Sequence, residues 1–261
     1  MLSREKVKKI AQLKTKKGRK KNGKFLIEGT RSCEEGIKSA WEIESLLYTY
    51  KAEENPRIKQ ILSNAEKRGA ELVQIKQNLL EKISDTVTSQ GIVGLVKIKD
   101  FTQEFLLQRK PELLLALDSI KDPGNMGTLI RTADAFGVDG VILSEDCVDL
   151  FNPKVVRSTM GSIFHLPILR DVDLQNFLSD LKKADFKTVF TELEQGKTLD
   201  SLDFSGKICL VMGSEPEGVS KDLIKLADQL MKIPIPGKAE SLNVAVACGI
   251  LLYDITKKGK T

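Results

Sequence analysis

The sequence predicts an α/β protein with a small amino-terminal α/β domain and a larger second domain, whose mainly parallel sheet has helices on both faces. Apolar runs of strand length alternate with segments of helical spacing along the 261 residues. Several of these runs are apolar throughout, which is typical of parallel strands buried on both faces. The polar stretch from Lys99 to Lys110 indicates a linker. We therefore place the boundary near residue 105, between domains 1–104 and 105–261.

In the first domain, apolar and β-branched runs predict strands, and segments of helical spacing predict the helices between them. The predicted elements are strand 25–29, helix 31–40, strand 43–49, helix 55–69, strand 70–75, and a helical turn followed by a strand within 82–98. Gly69 is expected to close the second helix, because glycine commonly follows a helix end. This order predicts a small α/β unit.

The second domain alternates strands and helices more regularly. The predicted elements are strand 112–120, helix 128–137, strand 140–144, helix 152–164, strand 166–170, helix 174–184, strands 187–193 and 207–214, helix 220–227, strand 229–235 and helix 242–258. Ligands of such sheets bind beyond the carboxyl ends of the strands. We therefore expect the chemistry in the loops that follow strands.

Charge is concentrated at the amino terminus. Residues 1–24 hold eleven lysines and arginines against one acid, a net charge of +10, whereas the whole chain carries +5. A local excess of this size favours a polyanionic partner such as RNA. A solvated, frayed terminus is the alternative.

The composition also bounds the class of protein. No apolar run approaches the ~20 residues that cross a bilayer, and no secretory apolar core follows the first lysines, so we expect a cytoplasmic protein without membrane contact. The four cysteines are widely spaced and the chain has a single histidine, which excludes a Cys/His zinc cluster. Buried, reduced thiols and no metal site are expected at Cys33, Cys147, Cys209 and Cys248.

The first candidate loop runs from Asp122 to Gly127 and leads into the helix that carries Arg131. Asn125 and Thr128 are expected near the start of that helix, and Arg131 lies on the same side one turn later. A buried-facing arginine beside an asparagine, with glycines that let another backbone approach, predicts a site for a phosphate or a hydroxyl. A capped helix with an exposed arginine explains the loop equally well.

The second candidate loop runs from Gly213 to Gly218 and has the G-x-x-x-x-G spacing of a phosphate-binding loop. Val219 stands where such a loop has its lysine, and Glu215 and Glu217 would repel phosphates. A nucleoside triphosphate is therefore disfavoured. A neutral or cationic ligand, such as a sulfonium, fits this loop better.

The third candidate loop, residues 233–243, leads into the last helix. Pro234 and Pro236 stiffen the exit from the preceding strand, and Ser241 is predicted to cap the helix. A proline-rich turn with a capping serine accounts for Ser241 but leaves Asn243 unexplained.

Taken in this order, the three loops resemble the three motifs of the SpoU/TrmH family of RNA 2′-O-ribose methyltransferases, in the SPOUT superfamily. The resemblance extends from Leu114 to about Asp254 and includes VVRSTMGSIFHLPI between the first two loops. The segments FLIEGTRSCEEGIKSA and SDTVTSQGIVGLV are similar to the family's amino-terminal substrate-binding domain. The resemblance implies a SPOUT-type trefoil knot in the second domain, which periodicity alone does not indicate, and RNA as the partner, most of all 23S ribosomal RNA.

The resemblance also implies S-adenosylmethionine as the cofactor, bound by Gly213, Ile233 and Leu242. The site residues that it implies are Asn125, Arg131, Glu215, Ser241 and Asn243. Because arginine keeps its proton at physiological pH, we expect Arg131 to bind a neighbouring phosphate and orient the ribose hydroxyl rather than act as a base. Hydrogen bonds from the asparagines and the glutamate would fix the geometry.

Finally, the resemblance implies a homodimer through the second domain, in which Arg131 of one subunit acts beside the cofactor of the other. For His165 we favour packing over catalysis. A tRNA 2′-O-methyltransferase and a non-catalytic RNA-binding or ribosome assembly protein of the same fold remain the alternative functions. The separate first domain favours ribosomal RNA, and the complete set of site residues favours an enzyme.

Overall fold

A computed structural model describes residues 4–86, 88–191, 196–198, 204–214 and 218–258. Its contacts divide the chain into two compact units. The first comprises Met1–Lys99 together with Phe151–His165, and the second comprises Asp100–Leu150 together with Leu166–Thr261. The chain thus divides after Lys99, five residues before the end of the first domain predicted from the sequence.

The first unit contains one sheet and seven α-helices among its described residues. The strands are β1 (Lys24–Glu28), β2 (Ile43–Tyr48), β3 (Glu71–Gln74) and β4 (Ile92–Lys97). The helices are α1 (Arg4–Gln12), α2 (Lys16–Asn22), α3 (Thr30–Lys38), α4 (Tyr50–Glu53), α5 (Pro56–Lys67), α6 (Gln77–Ile83) and, from later in the chain, α9 (Pro153–Ser158). The strand order is β1-β4-β2-β3, in which β4 is antiparallel to β1 and β2, and β2 and β3 are parallel. The four strands predicted for the first domain are all present.

The basic amino-terminal segment is folded rather than frayed over its described residues. Val7 and Ile10 of α1, together with Leu13, are buried in a core cluster with residues of β1, β2, β4 and α6. Arg19 of α2 is only 4% exposed, and its Nη1 donates hydrogen bonds to the carbonyl oxygens of Leu13 and Lys14 at 2.8 and 2.9 Å. One of the eleven basic side chains therefore holds the end of α1, and the frayed alternative is wrong.

Residues 151–165 complete an aromatic cluster in the first unit. The ring of Phe151 lies 4.6 Å from that of Phe25, and the ring of Phe164 lies 5.6 Å from that of Trp41. The single helix predicted over 152–164 is wrong, because α9 ends at Ser158 and a short 3-10 helix follows at Ser162–Phe164. Positive φ angles of 52° at Met160 and 101° at Gly161 interrupt the helix.

The second unit contains a seven-stranded sheet. Its strands are β5 (Leu113–Leu117), β6 (Gly140–Ser144), β7 (Ile168–Val172), β8 (Phe186–Thr191), β9 (Lys197–Thr198), β10 (Lys207–Met212) and β11 (Gln229–Lys232). Its described helices are α7 (Gln103–Gln108), α8 (Pro123–Ala135), α10 (Leu174–Lys183), α11 (Lys221–Ile224) and α12 (Val244–Lys258). The order is β7-β6-β5-β10-β8-β11-β9, and the strand pairs are parallel. The predicted mainly parallel sheet is confirmed.

Helices cover both faces of this sheet. One face packs against α7, α10 and α11 in a cluster that contains Leu114, Val211 and Leu178. Successive side chains of a strand point to opposite faces, and the alternate residues Leu115 and Leu210 are also fully buried. Helices α8 and α12 pack against each other, and their buried side chains do not belong to the first cluster, so we infer that these two helices cover the second face.

Two elements of this unit differ from the expectation. Lys99 to Lys110 is not a structureless linker, because it contains α7, whose Leu106 is fully buried in the core. Helix α8 begins at Pro123 rather than at Thr128. Asp122 caps it and proline occupies the first helical position, a signal that outweighs the two glycines of the first turns. None of the described helices is long and apolar enough to cross a membrane.

Candidate functional site

The three candidate loops follow β5, β10 and β11 of the second unit. Strands β5 and β10 are neighbours, and β11 is separated from β10 only by β8. Because the strands are parallel, their carboxyl ends lie at the same edge of the sheet. Hydrogen bonds among the loops then decide which of the predicted side chains come together.

The first loop is the amino-terminal turn of α8. A side-chain oxygen of Asp122 accepts a hydrogen bond from the backbone N–H of Asn125 at 2.8 Å, which caps the helix. The hydroxyl of Thr128 donates to the carbonyl oxygen of Gly124 at 2.8 Å. These bonds fix Asn125 in the first turn, where its side chain is half-buried.

The third loop is joined to the first by a pair of asparagines. Asn243 Nδ2 donates a hydrogen bond to Asn125 Oδ1 at 2.9 Å. Asn243 Oδ1 accepts from the backbone N–H groups of Ala245 and Val246 at 3.1 and 3.3 Å, so Asn243 caps α12. The prediction that Ser241 caps this helix is therefore wrong, because Asn243 immediately precedes the first helical residue and Ser241 is exposed two residues earlier.

Helices α8 and α12 lie side by side and run in the same direction. Asn125 contacts Asn243 at their amino ends, the Cβ position of Gly249 lies 3.7 Å from the methyl group of Thr132, and the rings of Phe136 and Tyr253 are 6.4 Å apart near their carboxyl ends. The packing of the two helices therefore sets the position of the asparagine pair.

Asp118, which the sequence reasoning missed, joins the end of β5 to the residues on either side of the second loop. It follows β5 and is only 6% exposed. Its Oδ2 accepts a hydrogen bond from the backbone N–H of Ser220 at 3.0 Å, and its own N–H donates to the carbonyl oxygen of Met212 at 2.8 Å. The signal was available in the sequence, because an acid directly after the apolar run LLLAL is unusual at a buried strand end.

Gly213 lies where the second loop folds back on itself. A Cβ at this position would lie 2.0 Å from the carbonyl carbon of Gly218 and 2.2 Å from the backbone nitrogen of Val219. The N–H of Gly218 donates to the carbonyl oxygen of Ser214 at 2.8 Å and closes the loop. Glycine is thus required at 213 by the loop's own backbone. Glu215 lies outside the described residues.

Arg131 is exposed, so the prediction of a buried-facing arginine is wrong. The buried side of α8 contains Met126, Leu129, Ile130 and Ala133, at the spacing of a single helix face. Arg131 lies outside that face, and its side chain belongs to the exposed side of α8. The structure therefore brings Asn125 and Asn243 together within one chain and leaves Arg131 on the surface.

The remaining predicted residues surround the same edge of the sheet. Ile233 and Leu242 are half-buried. Cys209 of β10 and Cys248 of α12 are fully buried, and burial raises the pKa of each thiol to about 12, so both stay protonated. Among the described residues, no three His, Cys, Asp or Glu side chains are grouped so that they could bind a metal ion.

His165 does not belong to this site or to a packed core. It lies in the first unit with its side chain 38% exposed, and its Nε2 is 3.3 Å from Glu35 Oε2. The prediction that it packs is therefore wrong, because its ring is partly exposed beside the carboxylate of Glu35, whose side chain is 17% exposed.

Comparison with known proteins gives matches over both units. Residues 112–253 match the model of the SpoU rRNA Methylase family, and residues 4–94 match the model of the MRM3-like substrate binding domain. The chain is 35% identical to 23S rRNA (guanosine(2553)-2′-O)-methyltransferase RlmP of Bacillus subtilis, over 96% of each chain.

Two solved structures give the structural comparison. An AdoMet-bound rRNA methyltransferase from Sinorhizobium meliloti superposes with a TM-score of 0.87 and 32% identity, covering 98% of this chain and 96% of that one. The TrmH/SpoU tRNA modifying enzyme of A. aeolicus covers only 57% of this chain and 75% of its own, with a TM-score of 0.51 and 30% identity.

Proposed function

This chain belongs to the SpoU rRNA methylase family, and we propose that it transfers a methyl group from S-adenosylmethionine to a ribose 2′-hydroxyl of 23S ribosomal RNA. The observation that carries the proposal is the Asn125–Asn243 contact, which joins two of the three loops at the carboxyl edge of the parallel sheet. The match to an rRNA methyltransferase over nearly the whole chain favours ribosomal RNA, whereas the tRNA modifying enzyme matches about half of it.

The residues at the edge of the sheet fit this cofactor. Ile233 and Leu242 provide half-buried apolar surface of the kind that an adenine ring packs against. The run from Gly213 to Gly218 contains no lysine or arginine, which suits a ligand without phosphates. We propose that Gly213, Ile233 and Leu242 bind S-adenosylmethionine, which supplies an electrophilic methyl group.

The chain's own residues have to bind the ribose and prepare its hydroxyl, which is a poor nucleophile until its proton is drawn away. Asn125 accepts from Asn243 through Oδ1, and we assign its Nδ2 group, which that contact does not use, as a donor to the ribose oxygen. The guanidinium of Arg131 suits a phosphate beside that ribose, where its fixed charge would orient and polarise the hydroxyl. Glu215 and Ser241 complete the proposed set of site residues.

The exposure of Arg131 supports a homodimer formed through the second unit. A row of exposed apolar side chains, Val246, Ile250 and Tyr253, runs along α12 at helical spacing. Tyr253 contacts α8, which carries Arg131 on its own exposed side. Symmetric pairing is the commonest way to cover such a face. In the dimer, Arg131 would complete the site of the partner.

Three further parts of the proposal rest on the family. Residues 1–104 would bind the RNA, the carboxyl-terminal part of the second unit would pass through a loop as a trefoil knot, and the protein would act in the cytoplasm.

The test is a methyl-transfer assay with the full chain, labelled S-adenosylmethionine and two substrates, 23S rRNA from cells that lack this protein and total tRNA. Label should enter the ribosomal RNA and map to one 2′-O-methyl nucleotide. Transfer should persist with a metal chelator present, because the cofactor carries its own electrophile. Label in tRNA alone, or in neither RNA, would contradict the proposal.

A further inference from the structure

One edge of the first unit's sheet collects exposed side chains that the proposed methyl transfer does not use. The carboxyl ends of β1 and β2 flank the amino end of β4, because Glu28 pairs with Val93 and Tyr48 with Ile92. The residues that follow β1 and β2 therefore lie at one level, about 10 Å apart across β4. They surround Gln90, which directly precedes Gly91 in the loop before β4.

Hydrogen bonds tie these segments into one surface. The N–H of Thr49 donates to the carbonyl oxygen of Gly91 at 2.9 Å, and the N–H of Thr30 donates to Oε1 of Gln90 at 2.7 Å. Arg31 follows Thr30, and its Nε donates to the carbonyl oxygen of Met160 at 3.3 Å. A continuous set of contacts thus leads from the turn after β2, through the loop before β4, to residues 157–161.

Two large side chains on this surface project into solvent. Tyr50 is 71% exposed, the highest value among the described large hydrophobic side chains, and Met160 is 42% exposed. Arg31 is exposed between them along the chain of contacts. This surface therefore combines apolar groups, the phenol ring of Tyr50 and the thioether of Met160, with the cationic guanidinium of Arg31.

Met160 is held in this position against its own conformational preference. Its φ of 52° lies in the left-handed region, which a residue with a long side chain rarely adopts. The contact from Arg31 holds its carbonyl, and its N–H donates to the carbonyl oxygen of Arg157 at 3.1 Å. Arg157 is held in turn by Asp85 at 3.4 Å. The strained backbone therefore keeps a thioether side chain 42% exposed to solvent.

We propose that this surface, formed by Arg31, Tyr50 and Met160, binds unpaired nucleotides of the RNA substrate. The ring of Tyr50 offers a face on which a nucleobase stacks, and methionine is one of the apolar side chains that insert beside bases. Arg31 would bind a flanking phosphate. Bases in a duplex are already stacked, so the surface selects loops or single strands. The inference rests on the proposed function only in taking RNA as the substrate.

This surface is distinct from the basic amino-terminal helices. Helix α2 precedes β1 and is capped by Gly23, whose carbonyl oxygen accepts a hydrogen bond from the N–H of Ile98 just after β4. The carboxyl end of α2 therefore lies at the opposite end of β1, and the five residues of this strand span about 17 Å. Neutralising the α2 lysines should therefore change the salt dependence of RNA binding, whereas removing the side chains of Tyr50 and Met160 should weaken the binding of single strands.

The test measures the affinity of the full chain for two labelled probes, a 12-nucleotide single-stranded RNA of mixed sequence and a hairpin duplex of similar composition, at one salt concentration. The wild type should prefer the single strand. Tyr50→Ala and Met160→Gly should each weaken single-strand binding about fivefold or more, since each removes one base contact. Tyr50→Phe keeps the ring and should bind as the wild type does. Phe105→Ala is the matched control, a 40% exposed aromatic of the second unit whose loss should change nothing.

Met160→Gly also separates recognition from folding. Glycine adopts positive φ without strain, so this variant should melt at or above the temperature of the wild type while binding the single strand more weakly. Equal affinity of the wild type for both probes, or unchanged single-strand affinity in both Tyr50→Ala and Met160→Gly, would overturn the proposal.

Methyl-transfer kinetics keep the two proposals apart. If Tyr50→Ala raises the KM for 23S rRNA and leaves the kcat and the cofactor KM unchanged, the surface acts in substrate binding. An unchanged KM in an active enzyme would contradict this inference alone. Single-strand binding that depends on Tyr50, in a protein that transfers no methyl group, would contradict the proposed function alone.

Discussion

At the scale of single residues, the side-chain amide of Asn243 makes two structural contacts, one through its oxygen and one through its nitrogen. The oxygen caps α12 and the nitrogen reaches Asn125. The sequence indicated that Asn243 matters but assigned the cap to Ser241, because both residue types are common caps and periodicity does not fix a helix start to within two residues. The structure resolves this, since α12 begins at Val244.

Replacing Asn243 separates these two contacts. Asn243→Asp keeps an oxygen that can cap the helix, so its free energy of unfolding should match that of the wild type, while loss of the donor to Asn125 should lower kcat about tenfold or more. Asn243→Ala loses both and should unfold with about 1 kcal/mol less stability. Denaturant melts and methyl-transfer rates of both variants test this, and a fully active Asn243→Asp enzyme would show that the asparagine pair is not part of the site.

Gly213→Ala should disrupt the second loop. The new methyl group would overlap the backbone of Gly218 and Val219, which are 2.0 to 2.2 Å from the Cβ position. We expect a loss of about 1–3 kcal/mol in stability and loss of cofactor binding by calorimetry. Gly237→Ala is the control for stability, because no atom lies within 4 Å of its Cβ position. Normal cofactor affinity in Gly213→Ala would remove the loop from the proposed cofactor site.

At the scale of elements, the amino-terminal segment contains both the concentrated positive charge and apolar residues that are buried in the core. Its excess of lysine was evident from composition, but its two helices were not predicted, because the charges obscure the apolar spacing of Val7, Ile10 and Leu13. A deletion of residues 1–24 would remove these core side chains and Arg19 along with the lysines. Substitution is therefore the informative experiment.

Changing Lys16, Lys17, Lys20 and Lys21 of α2 to glutamine should reduce RNA affinity without unfolding the protein, since all four are exposed and glutamine is a good helix former. Each lost phosphate contact should reduce the slope of log affinity against log salt by about 0.7 to 0.9. RNA titrations across a salt series measure it. Identical slopes for the variant and the wild type would mean that the α2 lysines are merely solvated.

Asp228, directly before β11, ties that strand to β8 and makes part of the stability pH-dependent. Partial burial raises the pKa of Asp228, but hydrogen bonds from Lys182 and from Thr188 outweigh it and hold the pKa below the ordinary value. A lowered pKa in the folded state stabilises the protein above about pH 4 and the effect is lost as the pH falls further. Asp228→Asn should lower the melting temperature more at pH 7 than at pH 3, because the contribution of the carboxylate is lost as the pH falls through its lowered pKa. An equal difference at both pH values would contradict this account.

At the scale of the whole molecule, the class of fold and the mainly parallel sheet of the second unit were predictable, because fully apolar strands followed by helices leave few arrangements, whereas the order and register of the strands were not predicted. The pattern of buried positions on α8 could also have predicted the exposure of Arg131, since the buried residues occupy one face and Arg131 lies off it. The partner of Asp118 and the assignment of residues 151–165 to the first unit were not predicted. The acid after LLLAL could have marked Asp118 as unusual, but its bond to Ser220 and the packing of residues 151–165 are contacts between residues that are distant in the chain, which local spacing does not encode.

A shared site in the proposed dimer predicts complementation. Arg131→Ala and Asn243→Asp chains should each have a tenth or less of the wild-type activity alone, about tenfold lower or more. After subunit exchange, random pairing gives half mixed dimers with one intact site each, so about a quarter of wild-type activity should return. Mass spectrometry of the exchanged mixture verifies that mixed dimers formed. No recovery in such a mixture would mean that each chain forms its site alone.

The contribution of residues 151–165 to the first unit has a consequence for synthesis on the ribosome. The aromatic cluster around Phe25 and Trp41 is incomplete until Phe151 and Phe164 have been made. The 66 residues from 100 to 165 take roughly 3 to 13 s to translate at typical elongation rates. During this interval the nascent first unit exposes aromatic surface that chaperones recognise. Slowing translation within this stretch should therefore increase chaperone association of the nascent chain.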